Sequence, residues 1–145
     1  MPEALLSDDD GALWEAWRVA ADALAQVGAD VARETGLSEP DLLVLTRLHD
    51  LGRGRLRQSH LAASVGWHRS RLSHHLHRMQ ERGLVERAEV SGGVDVSLTT
   101  MGRAALARAR PVHADAVRRH LVAALPARDR QRLRAILERL TARGS

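Results

Sequence analysis

The chain has no cysteine, no lysine, no tyrosine and no phenylalanine, and each absence removes a class of chemistry. Without cysteine there is no disulfide framework, no thiolate nucleophile and no cysteine-held zinc or iron–sulfur centre. Without tyrosine or phenylalanine, the only aromatic surface besides histidine is Trp14, Trp17 and Trp67. That argues against the ring platforms on which single-stranded nucleic acid is stacked. No apolar run approaches the ~20 residues of a membrane span. The opening "MPEALLSDDDG" also lacks a basic segment followed by an apolar one. The expectation is a cytoplasmic protein with no membrane partner. At 145 residues the chain suits one domain with a real core, residues 1–145.

What is present is charge, and it is unevenly spread. All 22 basic residues are arginine. Residues 1–50 hold 3 Arg and 11 acids, net −8, whereas residues 51–87 hold 8 Arg and 2 Glu, net +6. Residues 88–145 hold 11 Arg and 5 acids, also net +6. Five of the eight histidines lie in the basic middle. A polyanion would sit there, and the acidic head would repel it.

Leu13, Trp17, Ala20, Leu24, Val27 and Val31 recur at heptad spacing, which predicts a long amphipathic helix over residues 9–34. "LSEPDLLVLTRLHDLG" predicts a second helix, capped by Ser38, with Pro40 in its first turn and Gly52 at its end. Its broad apolar set, Leu42, Leu43, Val44, Leu45, Leu48 and Leu51, suits a central buried position. A short third helix runs from Ser59 to Val65 and stops at Gly66; a fourth covers about Arg69 to Arg82 and stops at Gly83. "LVERAEV" and "VDVSL" are β-type, with Ser91-Gly92-Gly93 as the hairpin turn between them. Thr99 or Thr100 caps a fifth helix containing Pro111, and Pro126 opens a sixth with Leu133, Ile136, Leu137 and Leu140 on one stripe. The fold class expected is mainly α with a small β-wing: a winged helix–turn–helix at 35–99, flanked by helices at 9–34 and 100–142. The terminal stripes exceed what a small core can cover, so these flanking helices are expected to form a homodimer.

In "HLAASVGWHRSRLSHHLHRM" the small Ala62 and the glycine four residues on, Gly66, allow two helices to cross steeply. Leu61, Val65, Leu72 and Leu76 supply their shared core. At 100° per residue Leu72, Leu76 and Met79 point inward, while Ser70, Ser73, His74 and His77 point outward with Arg71 and Arg78 on a flank. Donors gathered near the N-terminus of an exposed helix suit the major groove of duplex DNA. Arg71 could bond guanine O6 and N7, and Ser70, Ser73 and His74 could reach bases or phosphate. Zinc would want ligands converging on one point, and His74 and His77 have no flanking carboxylate pattern of that kind. No metal site and no cofactor are therefore expected. Nor is an enzyme expected, since histidines on a convex helix have no concave pocket around them.

"LSEPDLLVLTRL", "HLAASVGWHRSRLSHHLHRMQERGLVER" and "VSLTTMGRAAL" resemble, in order and spacing, the MarR family of winged helix–turn–helix regulators. The resemblance covers about residues 10–140. It implies a dimer on a near-palindromic operator, a repressor released by a small aromatic or anionic ligand. By position it implies groove contacts from Ser70, Arg71, Ser73 and His74 and a phosphate contact from Ser59. Arg69, His77 and Arg78 on the same helix, and Arg87 on the following strand, are further DNA-contact candidates from the residues themselves. The resemblance also implies an effector cavity lined by Trp14, Trp17, Arg18 and His49. One departure stands out: the wing is about three residues shorter than the family pattern, with Gly92 where a minor-groove arginine is expected. The competing readings are a zinc- or nickel-responsive sensor using histidine ligands, and an architectural DNA-binding protein with no effector.

Overall fold

The computed structural model describes residues 5–142, and these divide into two compact units. One comprises the chain up to Asp30 together with the chain from His113 onward; the other is Val31–Val112. Two helices run from one unit into the other: α1 (Asp8–Thr35) and α5 (Thr100–His120). The chain is mainly helical, with a single three-stranded sheet among the described residues. No described helix is long and apolar enough to cross a membrane.

The second unit holds the core. Its helix α2 (Glu39–Gly52) begins with a reciprocal cap. The Asp41 amide donates to Ser38 Oγ at 3.1 Å, and the Ser38 amide donates to Asp41 Oδ2 at 2.9 Å. Two orphan amides are satisfied at once. Leu42, Val44, Leu45 and Leu48 are buried as expected, while Leu51 is exposed near the helix end. The helix closes on Arg53 in the left-handed conformation, φ 54°, an uncommon place for a bulky side chain.

An element with no signature in the sequence comes next, the strand β1 (Arg55–Arg57). Three residues between glycine and a helix carry too little alternation to be seen. The partner reveals it: Arg55, Leu56 and Arg57 pair antiparallel with Ser97, Val96 and Asp95. Helix α3 (Gln58–Val65) starts directly after it, with no side-chain bond capping its start, so Ser59 is its second residue. Gly66 at φ 70° turns the chain into α4 (Arg69–Glu81). Next come β2 (Val85–Val90) and β3 (Gly93–Leu98), joined by the two-residue turn Ser91-Gly92. The sheet order is β1-β3-β2, so β3 is central and the wing is a three-stranded sheet rather than a hairpin alone.

Thr99 then couples the wing to α5. Its hydroxyl donates to the Gly83 carbonyl at 2.6 Å and accepts from the Gly102 amide at 2.9 Å, capping the helix. Leu45, Leu48, Leu61, Leu72, Leu76, Met79, Val96 and Leu106 are fully buried in the core. Burying each contributes about 1.5–3 kcal/mol before the entropy of ordering is subtracted.

The other unit contains the end of α5, a short 3₁₀ turn at Val122–Ala124 and α6 (Ala127–Ala142), besides most of α1. Ser7 Oγ accepts from the Asp10 amide at the start of α1, beside three aspartates that favour the positive helix end. Asp30, almost wholly buried, accepts from Arg119 at 2.9 Å and from His120 Nε2 at 2.6 Å. Of the α1 heptad, Val27 and Val31 are buried, but Leu13, Trp17 and Leu24 are exposed. Ile136, Leu137 and Leu140 of α6 are exposed too, and α6 buries none of its residues.

Candidate nucleic-acid interface

Helix α4 is two-faced in the way its spacing predicts. Leu72, His75, Leu76 and Met79 are buried, while Arg69, Ser70, Arg71, His74, His77 and Arg78 are exposed. Ser73 is half-buried at the edge of that outer face. Its N-terminus is capped by His68, a role that the sequence pattern does not single out. His68 Nδ1 accepts from the Ser70 amide at 3.2 Å and lies 2.8 Å from Ser70 Oγ. Since the ring nitrogen is already an acceptor, the Ser70 hydroxyl is the donor in the second bond. The signal available is position alone: the residue before a helix with a side-chain acceptor.

Beneath this face lies a charged network. His75 Nδ1 accepts from Arg78 at 3.1 Å, which leaves Nε2 to carry the hydrogen. Nε2 lies 3.0 Å from Asp41 Oδ1, close enough to attract but off the line of a good hydrogen bond. Arg82 Nη1 donates to Asp41 Oδ2 at 2.8 Å, and its Nη2 donates to the Gly36 carbonyl at 3.1 Å. Burial alone would raise the Asp41 carboxyl, but the bonds from Arg82 and Ser38 outweigh it and hold it below the ordinary range. Burial pushes the His75 imidazole down, against the pull of Asp41.

Other predicted contacts are already engaged within the unit. Arg87, on β2, donates from Nε to Gln80 Oε1 at 3.0 Å and from Nη1 to the Ser73 carbonyl and hydroxyl, each at 3.4 Å. It therefore braces the wing against α4. At the wing tip the side chain in place is Arg57, from β1. It donates from Nε to Asp95 Oδ1 at 3.0 Å and from Nη1 to the Ser91 carbonyl at 3.1 Å. A Cβ added at Gly93 would meet its aliphatic stem at 3.2 Å, so the small tip residues leave it room. Arg57, Ser59, Arg69, Gly92 and Gly93 border one open cleft of about 260 Å³ between the wing and the starts of α3 and α4.

The residues expected to hold an effector are distributed over both units. Trp14 and Trp17 are exposed on α1, and Arg18 is ion-paired with Glu15 one turn back. His49 lies in the winged unit, where its Nδ1 is 2.8 Å from Asp50 Oδ1 and 3.3 Å from Arg110. Arg110 also donates to Asp50 Oδ1 at 2.5 Å, tying α5 to the end of α2. Among the described residues no three histidine, aspartate or glutamate side chains gather as a metal site would require.

Residues 37–89, the stretch from α2 through most of β2, match the MarR family model. Over this stretch the chain is similar to the MarR family. The crystal structure of AbsC, a MarR family transcriptional regulator from Streptomyces coelicolor, superposes with a TM-score of 0.88. It is 29% identical over 97% of this chain and 99% of that one. Sco3205, another MarR family regulator of that organism, solved in complex with DNA, also gives 0.88 at 29% identity over 97% of this chain and 90% of its own. A probable transcriptional regulator from Pseudomonas aeruginosa gives 0.71 at 26% identity over 84% and 93%. No curated protein matches the sequence. Two of these relatives are thus MarR family transcriptional regulators, one of them solved with DNA, and in this chain the exposed α4 face of the matching winged helix carries the arginines, serines and histidines just described.

Proposed function

We propose that this MarR family regulator is a repressor that binds a near-palindromic operator in duplex DNA as a homodimer, in the cytoplasm, and leaves it when a small aromatic or anionic ligand binds. The observation that carries the reading is the outward face of α4, where Arg69, Ser70, Arg71, His74 and His77 stand exposed over a buried apolar seam. Donors so placed fit the major groove, with Arg71 toward a guanine edge and Ser73 and Arg78 at the margins. Ser59 and Arg69, at the starts of α3 and α4, suit phosphate, since helix amide ends attract anions. Arg87 then supports binding by holding the wing against α4. The terminal helices, residues 9–34 and 100–142, serve as dimerisation elements, supported by the exposed apolar stripes on α1 and α6. The rings of Trp14 and Trp17, with the guanidinium of Arg18, are the groups on α1 suited to an aromatic anion; His49 is the candidate from α2.

Duplex binding measured by fluorescence anisotropy tests this. Log affinity should fall linearly with log salt, with a slope reporting several phosphate contacts. Selection from a random duplex pool should enrich a sequence with two-fold symmetry. Failure to bind any duplex at low salt would overturn the reading. Release of the DNA by aromatic acids, rather than by zinc or nickel, separates this reading from a metal sensor, and absence of any releasing ligand would favour an architectural protein.

A further inference from the structure

Trp67 stands between the Gly66 turn and the His68 cap, half-buried against the core cluster. Its amide donates to the Ala62 carbonyl at 3.2 Å, and its ring meets the buried His75 ring in a T-shaped contact, centroids 5.5 Å apart at 81°. The indole is therefore fixed from below. Over its ring lies Arg71, four residues on, with its guanidinium carbon 4.1 Å from the ring centroid. Arg71 is exposed, and among the described residues it makes neither a hydrogen bond nor an ion pair. Arg78, Arg82 and Arg87 of the same unit all bond to oxygen or nitrogen acceptors.

We propose that Trp67 is the positioning residue for base recognition: its ring holds the guanidinium plane of Arg71 while leaving every N–H edge free for a guanine. The physical logic is one of directions. A carboxylate partner would hold an arginine by the same in-plane N–H groups that a guanine edge needs. An aromatic face holds it through the cation–π attraction and occupies none of them. The long side chain loses rotamer freedom before DNA arrives, so less is lost on binding. The inference rests on Arg71 facing the DNA, as proposed above.

The test uses the full chain and two duplexes: the sequence the wild type enriches from a random pool, and a scrambled duplex of equal composition. The readout is the ratio of the two affinities, with thermal melting as a check on folding. Trp67→Leu keeps apolar bulk and removes the ring; it should lower the ratio roughly 2- to 5-fold, the scale of an exposed cation–π contact. Trp67→Phe should restore most of the loss. Arg71→Ala should lower the ratio roughly 10-fold or more, and adding Trp67→Leu to it should change nothing further. Should Trp67→Leu not fold, Trp67→Phe carries the test, since its weaker ring should lower the ratio with Arg71 present and not with Arg71→Ala. Equal loss on both duplexes, identical behaviour of the Leu and Phe variants, or an undiminished Trp67 effect on top of Arg71→Ala would overturn the proposal alone. A wild type that enriches no sequence, or an Arg71→Ala variant with an unchanged ratio, would overturn it together with the DNA-facing reading of α4.

Discussion

His75 Nε2 sits 3.0 Å from Asp41 Oδ1, so α4 and the capping box of α2 share one buried carboxylate. Burial holds the imidazole below its ordinary 6.5, Arg78 and Arg82 push the same way, and Asp41 opposes them. The folded protein thus resists a proton that the unfolded chain accepts near its reference value of about 6.5. Stability should be full above about pH 7, fall as pH drops through 6.5, and level off below the depressed value. Asp41 adds a second loss at lower pH, since its carboxyl is held below the ordinary 3.8 and protonating it breaks the bonds to Arg82 and Ser38. Chemical denaturation at a series of pH values checks this. The midpoint should drop between about pH 7.5 and 5.5 in the wild type and less so in His75→Asn; equal slopes in both proteins would refute it.

Gly102 is a second point where two elements meet too closely for a side chain. A Cβ there would fall on the carbonyl oxygen of Leu84, a backbone atom that cannot swing aside. Gly102→Ala should therefore cost roughly 3 kcal/mol or more, beyond the usual range for overpacking. Gly11, inside α1, has nothing within 4 Å of the same position. Gly11→Ala should instead gain up to about 1 kcal/mol from helix propensity. Thermal melting of the two variants decides the matter, and a harmless Gly102→Ala would mean that α5 does not start where the structure puts it.

The features legible in the sequence are those whose cause is local. Ser38 three residues before an acid announces a capping box, Gly66 announces a left-handed turn, and the 100° spacing of Leu72, Leu76 and Met79 assigns the inner face of α4. β1 is not legible because its only evidence is its partner: Leu56 opposite Val96 means nothing until the sheet exists. Arg57 is hidden for the same reason, being brought to the wing tip by that pairing. Arg87 is visible as a basic residue near the interface, but its bonds to Gln80 and Ser73 depend on how β2 lies on α4. Trp67 and Arg71 are four apart, but Trp67 precedes the cap of α4, so helical spacing alone does not bring them together. Composition alone counts the tryptophan only as aromatic mass.

Arg87 gives a prediction that separates bracing from base reading. Its three bonds to α4 include none to a buried group that would be stranded by its loss, so Arg87→Ala should change stability by no more than about 1 kcal/mol. Loosening β2 from α4 should weaken binding to every duplex by a similar factor and leave base preference unchanged. Competition between an enriched duplex and a scrambled one measures this. A selective loss on the enriched duplex would make Arg87 a reader of sequence instead.

The exposed stripes on α1 and α6 bear on assembly. Leu24 is 69% exposed and Ile136 43% exposed, on helices whose apolar spacing otherwise matches that of a packed seam. A side chain of this size gains about 1.5–3 kcal/mol on full burial, so a handful on each protomer supplies enough to associate two copies. An aspartate at either position would carry a charge into that seam without a partner, which is far more costly than a lost methyl group. Leu24→Asp and Ile136→Asp should each shift the proposed dimer toward monomer by light scattering at micromolar concentration. In both variants the core of Leu45, Leu72 and Leu76 lies in the other unit and is untouched, so helical content should persist. Binding to a two-fold symmetric duplex should fall far more than binding to a half-site, because only the former draws on the coupling of two copies. A wild type that scatters as a monomer at the same concentration would leave these stripes without a partner and defeat the dimer.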